Sequence, residues 1–471
     1  MSRENSTIHI VGAGLAGSEC ALQLADMGYQ VVLIEMRAKN MTPAHKTDQC
    51  AELVCSNSFG SLSSTSATGE LKWEAEQLKS KILEAALATR VPAGQALSMD
   101  REKFAQRVTE KIIAHPNIEL RHDIIRSLTS IPRPCVVATG PLTHDDLARD
   151  LQNHFGDEFL YFFDAIAPII ATDSINMEVA WKADRWDKGT KDYINCPLSK
   201  DEYFLFIEEI KAARKIEAKE FEKNTPYFES CMPIEAMIER GDLTPRFGPM
   251  SAKGLKDPRT GKTPFAVVQL RQDNKEATAY NIVGFQTKMA YADQKRVFRL
   301  IPGLEEAEFL KLGSIHRNLY INTPKRLNSD LSSKKDPLLF FAGQITGVEG
   351  YFESTCMGLL VAHFINQKLI NKGDTTKMQF PPRASALGAL LSAITDETKI
   401  DHFQPTNINF GHLPTIDVKM DKLAKRKMQV DIARRDFGSW LTSIGLNPSS
   451  DSLIDRASEA LLSQHLIGEA N

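Results

Sequence analysis

Long apolar runs are absent from this chain of 471 residues: no uncharged stretch approaches the ~18 residues that a membrane-crossing helix needs. The first residues, Met1 to Thr7, carry Arg3 and Glu4 ahead of a short apolar run at 8–11, which does not match the pattern of a secretory leader. Cysteine is sparse and unpaired. The seven residues at 20, 50, 55, 135, 196, 231 and 356 include no Cys-x-x-Cys, which argues against a zinc ribbon, a redox dithiol or a disulfide framework and for the reducing cytoplasm. The eleven histidines form no His-Glu-x-x-His or similar cluster, so no metal is expected. Neither sign of charge dominates. With 57 Lys and Arg against 60 Asp and Glu, the formal charge of -3 provides no general attraction for nucleic acid or an acidic membrane, and an RNA partner would need a local patch. There is no fixed-period repeat and no low-complexity tract. With 42% hydrophobic and 25% charged residues, the composition is that of a soluble globular protein, and the length fits two to four domains at ~100 to 200 residues each.

What is present begins with a β-α-β pattern. Ile8, His9, Ile10 and Val11 read as a buried strand, glycines 12, 14 and 17 as a turn, the Ala- and Leu-rich stretch to about Met27 as a helix, and 30–35 as the second strand. Residues 71–90 look helical, and Phe104, Val108, Ile112 and Ile113 suggest a further helix before a return strand at 135–138. From about 160 to 310 the texture turns aromatic and β-rich, as at Tyr161-Phe162-Phe163 and 265–270, with Gly and Pro between. Another buried strand at 338–342 then runs into a Gly-rich loop and an apolar helix from near Glu353. The expectation is an α/β, Rossmann-like fold that is discontinuous, with residues 1–160 and 311–375 forming the nucleotide-binding domain. Residues 161–310 would be an inserted α+β substrate domain, and 376–471 a C-terminal helical segment packed on the first domain.

Gly12-Ala13-Gly14-Leu15-Ala16-Gly17 lies where a strand hands over to a helix, so bare backbone and a helix N-terminus could meet a pyrophosphate. Glu35, at the end of the second strand, stands where a carboxylate accepts hydrogen bonds from ribose hydroxyls. A plain tight turn and an adenosylmethionine-binding turn share this pattern. Two further segments favour the dinucleotide: Val136-Val137-Ala138-Thr139-Gly140, and Phe341-Ala342-Gly343-Gln344 opening toward Gly347 and Gly350. Together they resemble flavoprotein FAD-binding folds. The insertion contains no second Gly-x-Gly-x-x-Gly, so a nicotinamide cofactor would visit the flavin without a Rossmann domain of its own.

Two cysteines are candidates for chemistry. Cys231 precedes Met232-Pro233, and Pro233 suits the first position of a helix to about Arg240, which would favour the thiolate. Cys55, in Val54-Cys55-Ser56-Asn57-Ser58, precedes a polar, cap-like cluster that could begin another helix. Both also read as inert core cysteines, and Cys50 matches no metal spacing. A third feature is charge. Residues 416–437 place Ile416, Met420, Leu423, Val430, Ala433 and Phe437 at helical spacing, interrupted by Lys427. Lys419, Lys422, Lys425, Arg426, Lys427, Arg434 and Arg435 face only Asp421 and Asp431. A solvated outer face and an RNA contact both account for it.

With these motifs in view, the chain resembles the folate- and FAD-dependent tRNA (uracil-5-)-methyltransferase family, TrmFO. The likeness extends through Glu35-Met36-Arg37, Thr42-Pro43-Ala44-His45, Val91-Pro92-Ala93-Gly94, Cys231-Met232-Pro233-Ile234-Glu235, Gln269-Leu270-Arg271-Gln272-Asp273, Val283-Gly284-Phe285-Gln286-Thr287, His316-Arg317-Asn318 and Phe403-Gln404-Pro405. The resemblance implies transfer of a one-carbon unit from 5,10-methylenetetrahydrofolate to C5 of a uridine in the tRNA T-loop, reduced by NAD(P)H through FAD, with tetrahydrofolate as product and no adenosylmethionine. It assigns Cys231 to attack on uracil C6. Cys55 either assists proton loss from C5 or modulates the flavin and methylene carrier. Gly12, Ala13, Gly14, Leu15, Ala16, Gly17, Glu35, Thr139, Gly140, Gly343 and Gln344 carry over as FAD contacts. Cys356 and Met357 are bulkier than this family often has there, and Gln344 stands where many flavoproteins place an acid. Related proteins act on a uridine of large-subunit rRNA or on the tRNA wobble uridine, and a flavoprotein that only binds RNA is the non-catalytic alternative.

Overall fold

β1 (Thr7–Val11) and β2 (Gln30–Glu35) pair in parallel, Thr7 opposite Gln30 and Val11 opposite Ile34, with α1 (Leu15–Asp26) as the crossover between them. The computed structural model describes residues 6–42, 44–156, 160–187, 190–216, 232–418, 420–449 and 451–468, with backbone alone at 160–166, 187, 314–317 and 461–468. The strands read as continuous apolar runs because both faces of this sheet are covered. Its order is Leu339–Phe341, Cys135–Val137, β1, β2, Ile118–His122, all parallel. The edge strand Leu339–Phe341 comes from far along the chain, so the sheet is assembled from two separated stretches of sequence.

Between those stretches lies a six-stranded antiparallel sheet in the order Trp181–Lys182, Tyr193–Leu198, Ala266–Gln272, Ala279–Ile282, Ile169–Ala171, Phe309–Lys311. It has a hydrophobic core of its own, in which Tyr203 and Phe206 of the helix Lys200–Ala212 meet Val268, Phe285 and Phe298. A separate core holds the parallel sheet together with residues near both ends of the chain, including Phe437, Leu441 and Ile454. The chain passes from one sheet to the other and back along two antiparallel strands, Leu160–Ile166 and Ser314–Tyr320.

Local readings of the sequence fail in three places. The helical stretch expected at 71–90 is two helices, Ala67–Gln77 and Lys81–Ala88, because Lys79 turns left-handed between them and Ser80 caps the second. The polar cluster after Cys55 continues into a strand, Ser58–Ser61, paired with Ala96–Met99, rather than into a helix. The basic helix is Lys422–Ser443, not 416–437, and its buried face is Val430, Ala433, Phe437, Trp440 and Leu441. Leu423 is exposed and Ile416 precedes the helix. Ile113, read as part of an apolar face, also points to solvent.

Much of the tertiary structure is held by buried carboxylates at helix N-termini, where unpaired backbone N–H groups attract negative charge. Glu19 of α1 accepts from the backbone N–H groups of Lys81 (3.1 Å) and Ile82 (2.8 Å). Glu74 accepts from Ala386 (2.6 Å) and Leu387 (2.7 Å), the start of the helix Ala386–Thr395, and Glu76 accepts from Leu453 (2.7 Å) at the start of Leu453–Gly468. Arg434 of the basic helix turns inward, over the Trp73 ring at 4.4 Å, to pair with fully buried Glu70 (2.9 Å) and with Asp455 (2.9 Å).

Burial pushes the Glu70 carboxyl above its usual range, and Arg434 offsets this only in part. A carboxyl raised in the folded state contributes stability below the usual carboxylate range that is lost as pH rises through its folded value. In Arg434→Ala the buried carboxylate loses its counter-charge. Glu70 is raised to about 7, so unfolding free energy from urea titration is expected to fall by about 1–2 kcal/mol more at pH ~8.5, where Glu70 is ionised in the parent, than at pH ~5, where it is protonated. An equal loss at both pH values would show that the guanidinium acts through packing alone.

Candidate active site

The glycine turn and the first turn of α1 form one wall of a cleft at the carboxyl end of the parallel strands. Gly12, Gly14, Leu15, Ala16, Glu35, Thr139, Gly140, Gly343 and Gln344 line it, so the structure brings together residues from four separated segments. Ala13 and Gly17 stand behind the wall. A Cβ on Gly17 would lie 1.9 Å from the Gly12 carbonyl oxygen, whereas a Cβ on Gly14 would meet no protein atom. The backbone is thus pressed tight behind the turn and left open in front of it. No acidic residue occupies the first turn of α1 and no side chain caps it, so its N–H groups remain available for an anion.

Glu35 closes the far end. Its carboxylate accepts from the Ala13 N–H (2.8 Å), the Arg37 N–H (3.0 Å) and the Arg37 guanidinium (3.1 Å). Burial alone would raise its pKa, but Arg37 and these hydrogen bonds bring it below the usual range, so it is an anion and can accept from hydroxyl groups. Arg37 itself is buried, and its Nη1, 3.7 Å from Glu52 Oε2, has that ion pair but no hydrogen-bond partner. An orphaned donor beside a ribose-type carboxylate fits a dinucleotide with polar groups at this end. His45 beside it is held neutral, pushed down to about 4 by burial and then by Arg37. The Gln344 amide donates to Glu349 Oε2 at 2.7 Å, so an acid does stand one side chain behind the glutamine. Cys356 and Met357 are fully buried and do not line the cleft; Tyr351 and Ser354 of the same helix do.

Cys55 lies beside this cleft, whose lining includes the neighbouring Val54. Its N–H donates to the Tyr351 hydroxyl at 2.6 Å, and Arg101 donates to its carbonyl at 3.0 Å. The segment around it is stitched to the six-stranded sheet. Arg271 donates to the Ser56 hydroxyl (2.8 Å), the Asn57 amide donates to the carbonyls of Gln272 (3.0 Å) and Asp273 (3.3 Å), and Lys311 donates to the Val54 carbonyl (2.8 Å). Among the described cysteines Cys55 alone is half-exposed. Burial pushes the thiols of Cys50 and Cys135 up to about 12 and those of Cys20, Cys196 and Cys356 further up, which leaves them inert.

Cys231 falls outside the described residues. Immediately downstream, Pro233 precedes a short helix, Ile234–Glu239, and the Ile234 N–H donates to the Gln286 carbonyl at 2.8 Å. Buried Glu235 accepts from the Thr287 hydroxyl and from the Lys288 N–H (3.1 Å), so two stretches that look unrelated in sequence are one unit. Sequence reasoning missed Arg37, His45, Arg101 and Lys311. Arg37 left a signal, as a cation two residues past the ribose-type carboxylate, and His45 stands in the quoted stretch 42–45 only a short way beyond it; Arg101 and Lys311 reach the site through contacts across long stretches of chain.

The glycine geometry separates two variants. Gly17→Ala is expected to cost about 1–3 kcal/mol because its methyl must displace the Gly12 backbone. Gly14→Ala in the ligand-free protein should stay within about 0.5 kcal/mol of the parent. Thermal unfolding of the two side by side checks this, and equal losses would mean that the turn is not packed as described.

A parallel sheet with a glycine turn at the N-terminus of its first helix, an anionic Glu35 and an open cleft between them define a Rossmann-type dinucleotide-binding fold. The solved GidA structure of Aquifex aeolicus shares the overall fold with a TM-score of 0.64 at 14% identity, covering 98% of this chain and 77% of that one. The family described as glucose inhibited division protein A matches residues 7–373. The chain is 68% identical over 438 residues to a Bdellovibrio bacteriovorus protein, covering 93% of this chain and 98% of that one. It is 50% identical over 447 residues to one from Rhizorhabdus wittichii, covering 94% and 99%. Both carry the name methylenetetrahydrofolate–tRNA-(uracil-5-)-methyltransferase TrmFO. The chain belongs to the TrmFO family.

Proposed function

We propose that the protein methylates C5 of a uridine in the tRNA T-loop, taking its one-carbon unit from 5,10-methylenetetrahydrofolate, with FAD in the cleft and NAD(P)H as reductant. The observation that carries this reading is a half-exposed cysteine held beside a dinucleotide cleft, on a segment tied to both sheets. The residues fit the cofactor: the open face of Gly14 and the uncapped start of α1 suit a pyrophosphate, and Glu35 with the orphaned Arg37 nitrogen suits the adenosine end. Bound there, the flavin would supply the hydride that completes the methyl group.

The chain's own residues supply the rest. Uracil C5 becomes nucleophilic when a thiolate adds to C6, and we assign that addition to Cys231, with Cys55 assisting at C5 or at the methylene carrier. Two separate hydrophobic cores support a division near residues 160 and 310, with the inserted part presenting the RNA to the cleft. With Arg434 drawn inward, the RNA-facing charge of the basic helix rests on Lys422, Lys425, Arg426 and Lys427. Among the described residues no helix is long and apolar enough to cross a membrane and no metal-binding cluster occurs.

The test is incubation of the purified protein with methylene-labelled tetrahydrofolate, NADPH and equal amounts of unmodified tRNA and large-subunit rRNA. Label in 5-methyluridine of tRNA, lost in Cys231→Ala, is the expected result. Label in rRNA alone would move the substrate to the ribosome, and label in neither would overturn the methyltransferase reading. Gly14→Ala should also lower FAD affinity at least about tenfold, read by fluorescence of the free flavin, because its methyl enters the space left for the pyrophosphate.

A further inference from the structure

Among the described residues the charges around Cys55 do not balance. Three cations grip its segment: Arg101 through the carbonyls of Leu53 (2.8 Å) and Cys55 (3.0 Å), Lys311 through the carbonyl of Val54 (2.8 Å), and Arg271 through the hydroxyl of Ser56 (2.8 Å). They come from the helix Arg101–Ala114 and from two strands of the antiparallel sheet, Phe309–Lys311 and Ala266–Gln272. Arg101 has a counter-ion, since its guanidinium lies 2.9 Å from Asp273. Arg271 and Lys311 have no carboxylate partner among the described residues, and the Nε of Arg271 is buried without any acceptor.

The other ionisable groups facing the cluster do not offset this excess. Asp273 is taken by Arg101, and Glu52, which also accepts from the N–H groups of Lys46 (2.8 Å) and Thr47 (3.0 Å), lies 3.7 Å from the Arg37 guanidinium. Lys46 adds positive charge. The Tyr193 phenol faces Arg271, but burial pushes its pKa up, so it stays neutral and donates to the Ala93 carbonyl at 3.3 Å. The Tyr351 hydroxyl accepts from the Cys55 N–H. Two desolvated cations without an anion are costly, and such an arrangement persists where a counter-charge arrives from a functional group.

We propose that the Cys55 sulfur is that counter-charge: Arg271, Lys311 and Arg101 form a cationic cage in which Cys55 rests as a thiolate at neutral pH, its proton released to solvent. The three donors attach to residues 53 to 56, on both sides of Cys55, and not to a distant pocket where a ligand anion would sit. Burial, then Arg101 and Lys46, bring Lys311 down to about 8, with Cys55 and Glu52 opposing that fall. Burial likewise lowers Arg271, and Cys55 is among the groups that oppose it. Arg271 and Lys311 are therefore positioning residues that act through Cys55. The use made of the thiolate rests on the methyltransferase reading, but its protonation state does not.

The test is the pH dependence of iodoacetamide alkylation at Cys55 in the full chain with its flavin, resolved by mass spectrometry of the peptide. The midpoint is expected below the ordinary thiol value of ~8.5, and to rise by about one pH unit in Lys311→Met and in Arg271→Gln. Circular dichroism and flavin retention show whether each variant is folded. An ordinary midpoint in the parent overturns the cage, as does an unchanged midpoint in a folded variant. The parent profile alone decides if neither variant folds. A low midpoint in a protein that transfers no label to RNA would leave the cage standing and overturn the methyltransferase reading instead.

Discussion

Ala16 is held between two glycines, and the cleft depends on that contact. A Cβ on Gly358 would lie 2.1 Å from the Ala16 carbonyl oxygen, and one on Gly343 would lie 2.8 Å from the Ala16 Cβ. The helices Leu15–Asp26 and Tyr351–Ile370 therefore touch backbone to backbone, and both begin at the cleft. Close packing of this kind tolerates little volume change, so it fixes the angle between the helices as well as their distance. The uncapped start of Leu15–Asp26 leaves its N–H donors open to phosphate oxygens of a cofactor, whereas the start of Tyr351–Ile370 carries buried Glu353 in its own first turn. The rest of the domain serves to keep that junction closed.

The helix Ala67–Gln77 is central to how it does so. Its glutamates reach in different directions: Glu74 to the helix Ala386–Thr395, Glu76 to Leu453–Gly468, and Glu70 to Arg434. Its Lys72, fully buried, donates to the carbonyls of Ser61 (3.1 Å) and Thr68 (3.0 Å) and sits 5.1 Å from the Phe352 ring. Burial lowers this lysine to about 8, and the buried carboxyl of Glu353 opposes that fall. The C-terminal segment is thus attached to the dinucleotide domain by charge against helix dipole as well as by Phe437, Trp440 and Leu441. Such attachments carry direction, which apolar contacts lack, and they explain how helices so distant in sequence take single orientations.

The same distinction explains what could be read from the sequence. The β-α-β unit, the glycine turn and Glu35 were legible because strand, turn, helix and carboxylate are set by residues within one short stretch. The break at Lys79 was not, since the apolar spacing continues across it and only the capping by Ser80 and Glu19 marks the boundary. The basic helix was misplaced because Ile416, Met420 and Leu423 keep the right spacing without being buried, while Arg434 looks like surface charge until Glu70 is seen beneath it. Cys55 was legible as a motif, but its surroundings were not. Arg271 and Lys311 are brought to it only when the two sheets meet, and Arg101 only when its own helix packs beside residues 53–55; no local pattern encodes either meeting.

That meeting has a chemical consequence. The contacts between the sheets at residues 53 to 57 are polar throughout: an ion pair with side chains 14% and 8% exposed, an amide spanning three carbonyls, and two cations on backbone and hydroxyl oxygens. A polar junction of this kind gains little from hydrophobic burial, so its geometry depends on keeping each donor matched to its acceptor. Arg101 shows the coupling most directly, because one guanidinium holds Asp273 of the antiparallel sheet and the carbonyl of Cys55 at once. Any movement between the sheets must change the positive field at the cysteine, and any change of charge at the cysteine must alter the balance of forces between the sheets. Domain placement and thiol chemistry are governed here by the same three side chains.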